Sequence, residues 1–258
     1  MSDTVKIALV QADLRWRQPA ANREHLGAMI AGMPGADLYL LPETFATGFL
    51  GDQGLIETMD GESVQWMVEQ AESHDAAIAG SLALDDDGRL HNRFLFVQPD
   101  GRIDYYDKAH LFGHGGEGER YRSGNRRVEV DFRARRFDLQ VCYDLRFPVW
   151  CRNDDRFDVQ LFVANWPAAR VDAWRSLLKA RAIENQAFVI GVNCTGTDGN
   201  QVVYPGASSA WSGLGECLVE LDDTEQTVMV ELDFAALDEL RRSLPFLADR
   251  DAFTLGRR

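Results

Sequence analysis

Apolar positions in this chain recur at two spacings, and the spacing changes from segment to segment. VKIALVQ at 5–11 is an apolar run of strand length. Residues 22–33 place Leu26, Met29, Ile30 and Met33 at i, i+3, i+4 and i+7, which lines one face of a helix. ADLYLLPE at 36–43 is short, apolar and interrupted by Pro42, the pattern of a buried strand that stops at Glu43. A second helix follows, with Val64, Met67, Val68 and Ala71 on one side. Strands are then predicted over 76–84, 93–98 and 102–106, the last two joined by a Pro-Asp-Gly turn. GNRRVEVDFRARRFDLQVCYD predicts two more, the second ending at Cys142, and VQLFVA at 159–164 predicts another that ends near Asn165. A helix over 172–186 and strands over 187–194, 208–222 and 226–233 complete the reading.

This order mixes strand–helix alternation with hairpins, which excludes a simple eight-fold barrel and favours helices packed outside sheets. No internal repeat or low-complexity linker interrupts the chain, so residues 1–258 read as a single α/β domain. A hydrophobic content of 45% supplies a core for a domain of that size. The net charge of −14 opposes a nucleic acid partner, whose phosphates demand clustered Lys and Arg. The opening MSDTVKIALVQADLRW is too short and interrupted in its apolar stretch for a secretory segment, and no apolar run spans a membrane, so a cytoplasmic protein with no membrane partner is expected. Cys142, Cys151, Cys194 and Cys217 form no CxxC pair, which fits reduced thiols better than disulfides or a zinc site.

The ends of the predicted strands carry the chemistry. Glu43, Lys108 and Cys142 each fall at or just after a strand end, where α/β proteins gather their active sites. A thiol near its ordinary pKa of about 8.5 is mostly protonated at neutral pH, so a nucleophilic cysteine requires a base or a positive neighbour. Glu43 can be the base and Lys108 the positive neighbour. Lys108 would also donate to the negative oxygen of a tetrahedral intermediate, together with the backbone N–H of Tyr143. Taken singly, each residue has a plainer reading: a buried structural thiol, a strand-end carboxylate, a solvated lysine. GHGGEG at 113–118 satisfies G-x-G-x-x-G, but no helix of the nucleotide-binding kind follows and it lies mid-chain. His110 and His114 stand four apart, but the glycines after them oppose a zinc-binding helix.

LPETFATGF around Glu43, YDKAHLF around Lys108, VCYDLRFP around Cys142, and ANWP followed by KARAIENQ together resemble the nitrilase, or carbon–nitrogen hydrolase, superfamily. The resemblance implies a four-layer α-β-β-α sandwich that works without a cofactor or metal ion. It also implies Glu43 as general base, Lys108 as oxyanion stabiliser and Cys142 as nucleophile. A second glutamate is implied after the lysine, and EGERYRSG offers Glu117, with Glu119 as its rival. CYDLRFP and ANWPAAR resemble the ω-amidase branch, whose substrates are small amides with a carboxylate at the far end, such as 2-oxoglutaramate. Arg146 and Arg170 are candidates to hold that carboxylate, with Trp166 as an apolar wall. Arg146 could equally pair with Asp144 to brace the turn, and Trp166 could be a core aromatic. Deaminated glutathione or an N-carbamoyl amino acid remains an alternative substrate, and a catalytically silent binding protein an alternative function. The resemblance further implies a homo-oligomer that pairs through the helix carrying ARAIENQ.

Overall fold

The computed structural model describes residues 3–50 and 53–256. In chain order the first strands are β1 (Thr4–Gln11), β2 (Leu38–Leu40), β3 (Ala77–Asp86), β4 (Arg89–Val97), β5 (Ile103–Asp107), β6 (Glu129–Phe132) and β7 (Arg135–Val141). They are followed by β8 (Val159–Ala164), β9 (Phe188–Asn193), β10 (Thr195–Thr197), β11 (Val203–Pro205), β12 (Ser209–Trp211), β13 (Cys217–Glu220) and β14 (Gln226–Asp233). The helices are α1 (Pro19–Ala31), α2 (Glu62–His74), the short α3 (Glu117–Arg120), α4 (Val171–Asn185) and α5 (Phe234–Ser243). Two six-stranded sheets result, ordered β14-β1-β2-β3-β4-β5 and β13-β12-β9-β8-β7-β6.

The strands alternate between two buried faces, which is why they read as nearly continuous apolar runs. In β1, Val5, Ile7 and Leu9 point between the sheets, where they share a core with Phe137, Leu139 and Val141 of β7. Ala8 and Val10 point the other way and pack with Leu26 and Ile30 of α1 and with Val64, Met67 and Ala71 of α2. On the second sheet α4 is seated so closely that a Cβ on Gly191 would fall 2.6 Å from Leu178 Cδ1 and 2.7 Å from Trp174 Cζ2. The layers therefore run helices, sheet, sheet, helix, the α-β-β-α sandwich that the resemblance implies.

Three elements differ from the sequence reading. The strand expected over 36–43 pairs only across Leu38–Leu40; from there Leu41 N and Phe45 N bond to Ala79 O and Ser81 O, which leads Glu43 off the sheet end into the site. The strand expected over 208–222 is two strands, because a turn at 212–216 closed by Ser212 and Gly215, with φ +78° at Gly215, reverses the chain. The hairpin β10–β11 lacks the long apolar run by which strands are read and has no counterpart in the pattern. Among the described residues no helix is long and apolar enough to cross a membrane.

Candidate active site

Strands from both sheets deliver the site. β2 leads to Glu43, β5 stops one residue before Lys108 in the first sheet, and β7 stops one residue before Cys142 in the second. Because the two sheets face each other, these strand ends meet although their residues are remote in sequence. Cys142 begins a 3-10 turn, Cys142–Arg146, and sits at φ +46°, a left-handed conformation that a residue with a Cβ adopts at some cost. That sharp departure from the strand turns the thiol out of the sheet plane towards the first sheet.

Lys108 Nζ donates to Glu43 Oε1 at 2.8 Å and to Glu117 Oε1 and Oε2 at 2.9 and 2.8 Å. All three side chains are sealed from solvent, whereas Cys142 keeps 9% of its surface open. Asn92 on β4 stitches the two carboxylates together, donating from Nδ2 to Glu43 Oε1 at 2.8 Å and to Glu117 Oε1 at 3.1 Å. Asn165 N donates to Glu43 Oε2 at 2.8 Å and Phe112 N to Glu117 Oε2 at 2.7 Å. The carboxylates are thus pinned at both oxygens, and neither can swing away when the charge nearby changes.

Burial works against charge on Lys108, but Glu117 and Glu43 outweigh it and hold the ammonium well above its ordinary range. The thiol of Cys142 moves the other way from the positive-neighbour expectation. Burial first, then Glu43, push it well up, and the opposing pull of Lys108 does not make up the difference. At rest Cys142 is therefore a thiol, and attack by its sulfur would require a base to take the proton. Lys108 carries three N–H donors, and its bonds to Glu43 Oε1 and to both oxygens of Glu117 engage all three, so an oxygen brought up to Cys142 would draw one of them from a carboxylate.

The geometry also separates the two candidate glutamates. Glu117, the first residue of α3, is fully buried against Lys108, and Glu119 is exposed on the same short helix.

The chain from residue 6 to 242 matches the family model for carbon-nitrogen hydrolases. The chain belongs to the carbon–nitrogen hydrolase family. It is 43% identical to the omega-amidase YafV of Escherichia coli over 97% of this chain and 98% of that protein. It is 33% identical to a 2-oxoglutaramate amidase of Bacillus subtilis, over 94% and 96% of the two chains. Among solved structures, XC1258 of Xanthomonas campestris, a CN-hydrolase superfamily protein with an arsenic adduct in its active site, superposes with a TM-score of 0.95 at 46% identity, covering 98% of this chain and 99% of that one.

In this carbon–nitrogen hydrolase aromatic and cationic side chains pair on the segments that flank Lys108, Cys142 and Asn165. The Arg146 guanidinium lies 5.0 Å from the Trp166 ring centroid, and that of Arg170 5.0 Å from the Phe112 ring. Tyr143 packs edge-on to Phe112 and Phe147, at 5.2 and 5.1 Å between centroids. Trp166 is buried, its ring leaning on Trp174 at 5.5 Å between centroids and its Nε1 donating to Arg170 O at 2.7 Å.

The pairing of Arg146 with Asp144 is not formed. Asp144 is instead fully buried, accepting from Tyr106 OH at 2.8 Å, His110 N at 2.9 Å and Val141 N at 3.1 Å, with His110 Nδ1 at 2.7 Å. His110 is thereby committed to bracing the turn that begins at Cys142, stacked on Phe147 at 3.7 Å. Sequence reasoning missed Asn92, Asn165 and this Asp144–Tyr106–His110 brace. Asn92 and Tyr106 lie inside strands among other polar residues, His91 and Arg93 beside the first and Asp104 and Asp107 near the second, so the local pattern does not mark them.

Proposed function

We propose that this protein is a cysteine-dependent ω-amidase, releasing ammonia from the terminal amide of a small carboxylated amide such as 2-oxoglutaramate. The observation that carries the chemistry is the single buried cluster in which Cys142, Glu43, Lys108 and Glu117 act on one another. The relatives named omega-amidase and 2-oxoglutaramate amidase support the substrate class.

The reaction follows from the charges. Glu43 takes the thiol proton as Cys142 sulfur bonds to the amide carbon, and the carbonyl oxygen becomes an oxyanion that draws one N–H of the Lys108 ammonium from the two-oxygen grip of Glu117. Tyr143, next in the 3-10 turn, offers its backbone N–H from the end of the turn where such groups lack an internal partner. Glu43 then returns the proton to the nitrogen, the C–N bond breaks, and ammonia leaves a thioester on Cys142. Water enters and loses a proton to Glu43 as its oxygen attacks the thioester carbon. Collapse breaks the C–S bond, the acid departs and the thiol regains its proton. Glu117 keeps Lys108 charged and in place throughout, and orients the amide or the attacking water. General-base transfer and an oxyanion donor each contribute roughly 10²–10⁴-fold and 10²–10³-fold.

Arg146 and Arg170, half-buried over the Trp166 and Phe112 rings, hold the substrate's remote carboxylate, with Trp166 as the apolar wall. Ammonia release from 2-oxoglutaramate, from an N-carbamoyl amino acid and from a simple aliphatic amide tests the reading. 2-Oxoglutaramate is expected to have the highest kcat/KM, abolished in Cys142→Ala; preference for either of the others would reject it.

The enzyme works as a homo-oligomer in the cytoplasm. Ile183 on α4 is 47% exposed and meets the β12–β13 turn at Gly215, beside Leu214 at 52% exposure, a patch that a second copy would cover. Size-exclusion chromatography with light scattering reads the mass directly, and Ile183→Glu is expected to lower it.

A further inference from the structure

A cleft of about 420 Å³ opens away from the nucleophile, lined by Arg89, His91, Asp107, Arg122, Asn125 and Arg126 among others. Its placement follows from strand alternation. Phe94 and Phe96 of β4 point between the sheets, as does Asn92, whereas Leu95 and Val97 pack on the outer face with α1 and α2. Arg89, His91 and Arg93 therefore share the outer face. Tyr106 and Lys108 point inward from the β5 end and Asp107 points outward by the same rule. The cleft and the catalytic cluster lie back to back, on opposite sides of one sheet.

Its charge does not fit the rest of the molecule. The chain carries −14 overall, yet three arginines line the cleft against one aspartate, Asp107, and beside it Arg93 pairs with Asp107 and Asp86. Both aspartates are engaged by a single arginine: Arg93 donates to Asp107 at 2.6 and 3.1 Å and to Asp86 at 2.8 Å. Among the described residues, the side chains of Arg89 and Arg122 form no hydrogen bond or ion pair, and Arg126 has only the face of Tyr105, 5.3 Å from its ring centroid. The floor is firm. Gly124 N donates to Lys108 O at 2.9 Å, Arg122 N donates to Leu90 O at 2.7 Å, and a Cβ on Gly124 would fall 2.0 Å from Asp107 O. Three uncommitted guanidinium groups over a rigid floor, in a cavity of metabolite size, make an oxyanion receptor.

We propose that this cleft binds a compact, multiply charged oxyanion, carried either on phosphate or on several carboxylates. The site is independent of the amidase reading, because it shares no side chain with the catalytic cluster.

Calorimetric titration of the full-length protein, with Cys142 alkylated to close the catalytic pocket, tests it. Inorganic phosphate and citrate are titrated separately at an ionic strength held constant with chloride. Saturable binding of at least one of them is expected; which one binds tells a phosphate ligand from a polycarboxylate. Arg122→Ala and Arg126→Ala should each weaken it about tenfold, and Arg122→Lys less, since each lost guanidinium removes a charge-assisted hydrogen bond. The unfolding temperature of these exposed-site variants should stay at the wild-type value. Absence of saturable heat for both anions, or binding of unchanged strength in the Arg122→Ala, Arg126→Ala double variant, overturns the proposal.

Discussion

Lys108 Nζ and Glu43 Oε1 lie 2.8 Å apart with both side chains sealed from solvent, and Glu117 grips the same ammonium from the other side. Two buried carboxylates share one cation, so its removal leaves both uncompensated. Lys108→Met is expected to reduce kcat by about 10²-fold or more through the lost oxyanion donor, and to destabilise the fold by on the order of 3–5 kcal/mol. Adding Glu117→Gln to it should recover part of the stability and none of the activity. Urea unfolding and steady-state turnover on the three proteins read the two effects separately.

The two glutamates of the α3 turn should behave differently. Glu117 contacts Lys108 through both oxygens, whereas Glu119 faces solvent. Glu117→Gln is expected to lower kcat by about 10²-fold, since a positioned charge at the reacting centre is lost. Glu119→Gln should leave kcat and KM unchanged. Equal effects from the two substitutions would remove Glu117 from the mechanism.

Glu43 is expected to have opposite influences on thiol ionisation and on turnover. Its charge helps to hold the Cys142 thiol up, against the downward pull of Lys108. Glu43→Gln removes that charge and keeps the shape, so the thiol pKa should fall and thiolate form at lower pH than in the wild type. Turnover should nevertheless drop about 10²- to 10⁴-fold, because the base that shuttles the proton to the leaving nitrogen is gone. The ultraviolet absorbance of the thiolate, followed against pH with Cys142→Ser as the blank, gives the first quantity. A thiol pKa that rises or stays fixed in Glu43→Gln would contradict this electrostatic account.

What could be read from the sequence, and what could not, follows the reach of each interaction. Period-two and period-3.6 patterns are local, so β1, α2, β7, β8 and α4 were legible to within a few residues. Glu43, Lys108 and Cys142 were legible because each falls at or just after the end of a predicted strand. Asn92 was not, because its value depends on facing Glu43 and Glu117 across the gap between the sheets, and spacing along one strand carries no such information. Asp144 stood beside Arg146 in sequence, which suggested an ion pair; the 3-10 turn instead aims its carboxylate down at Tyr106 and His110. The sign of the Cys142 shift was equally hidden, since it depends on how fully the thiol is buried.

Substrate selection should be separable from chemistry at the rim. Arg146 and Arg170 sit over Trp166 and Phe112 without belonging to the buried cluster. Arg170→Ala and Arg146→Ala are expected to raise KM for a carboxylated amide about tenfold each, the usual loss for a charge-assisted hydrogen bond, while kcat changes little. For an amide of similar size without the carboxylate, KM should stay where it was. A uniform loss on both substrates would mean that the arginines shape the pocket and do not read the charge.

The strand that leads to Cys142 contains a further buried carboxylate, and it makes stability depend on pH. Asp138 on β7 is fully buried; its Oδ2 accepts from Gln140 at 2.9 Å and Gln160 at 2.8 Å, while Oδ1 has no partner among the described residues. Burial raises its pKa from 3.8 to about 7, against the two glutamine donors. An unfolded chain loses this proton near pH 4, and the folded protein keeps it until about pH 7. Between those values the folded state binds more protons, so the contribution of this group falls as pH rises and levels off above 7. The shift corresponds to about 4 kcal/mol lost across that window. Asp138→Asn keeps an oxygen for the two glutamine donors and has no charge to bury, so it should be more stable than the wild type at pH 8 and close to it at pH 4. Urea unfolding of both proteins at the two pH values gives the difference. A stability gap that does not widen with pH would mean that this carboxylate ionises inside the fold as readily as outside it.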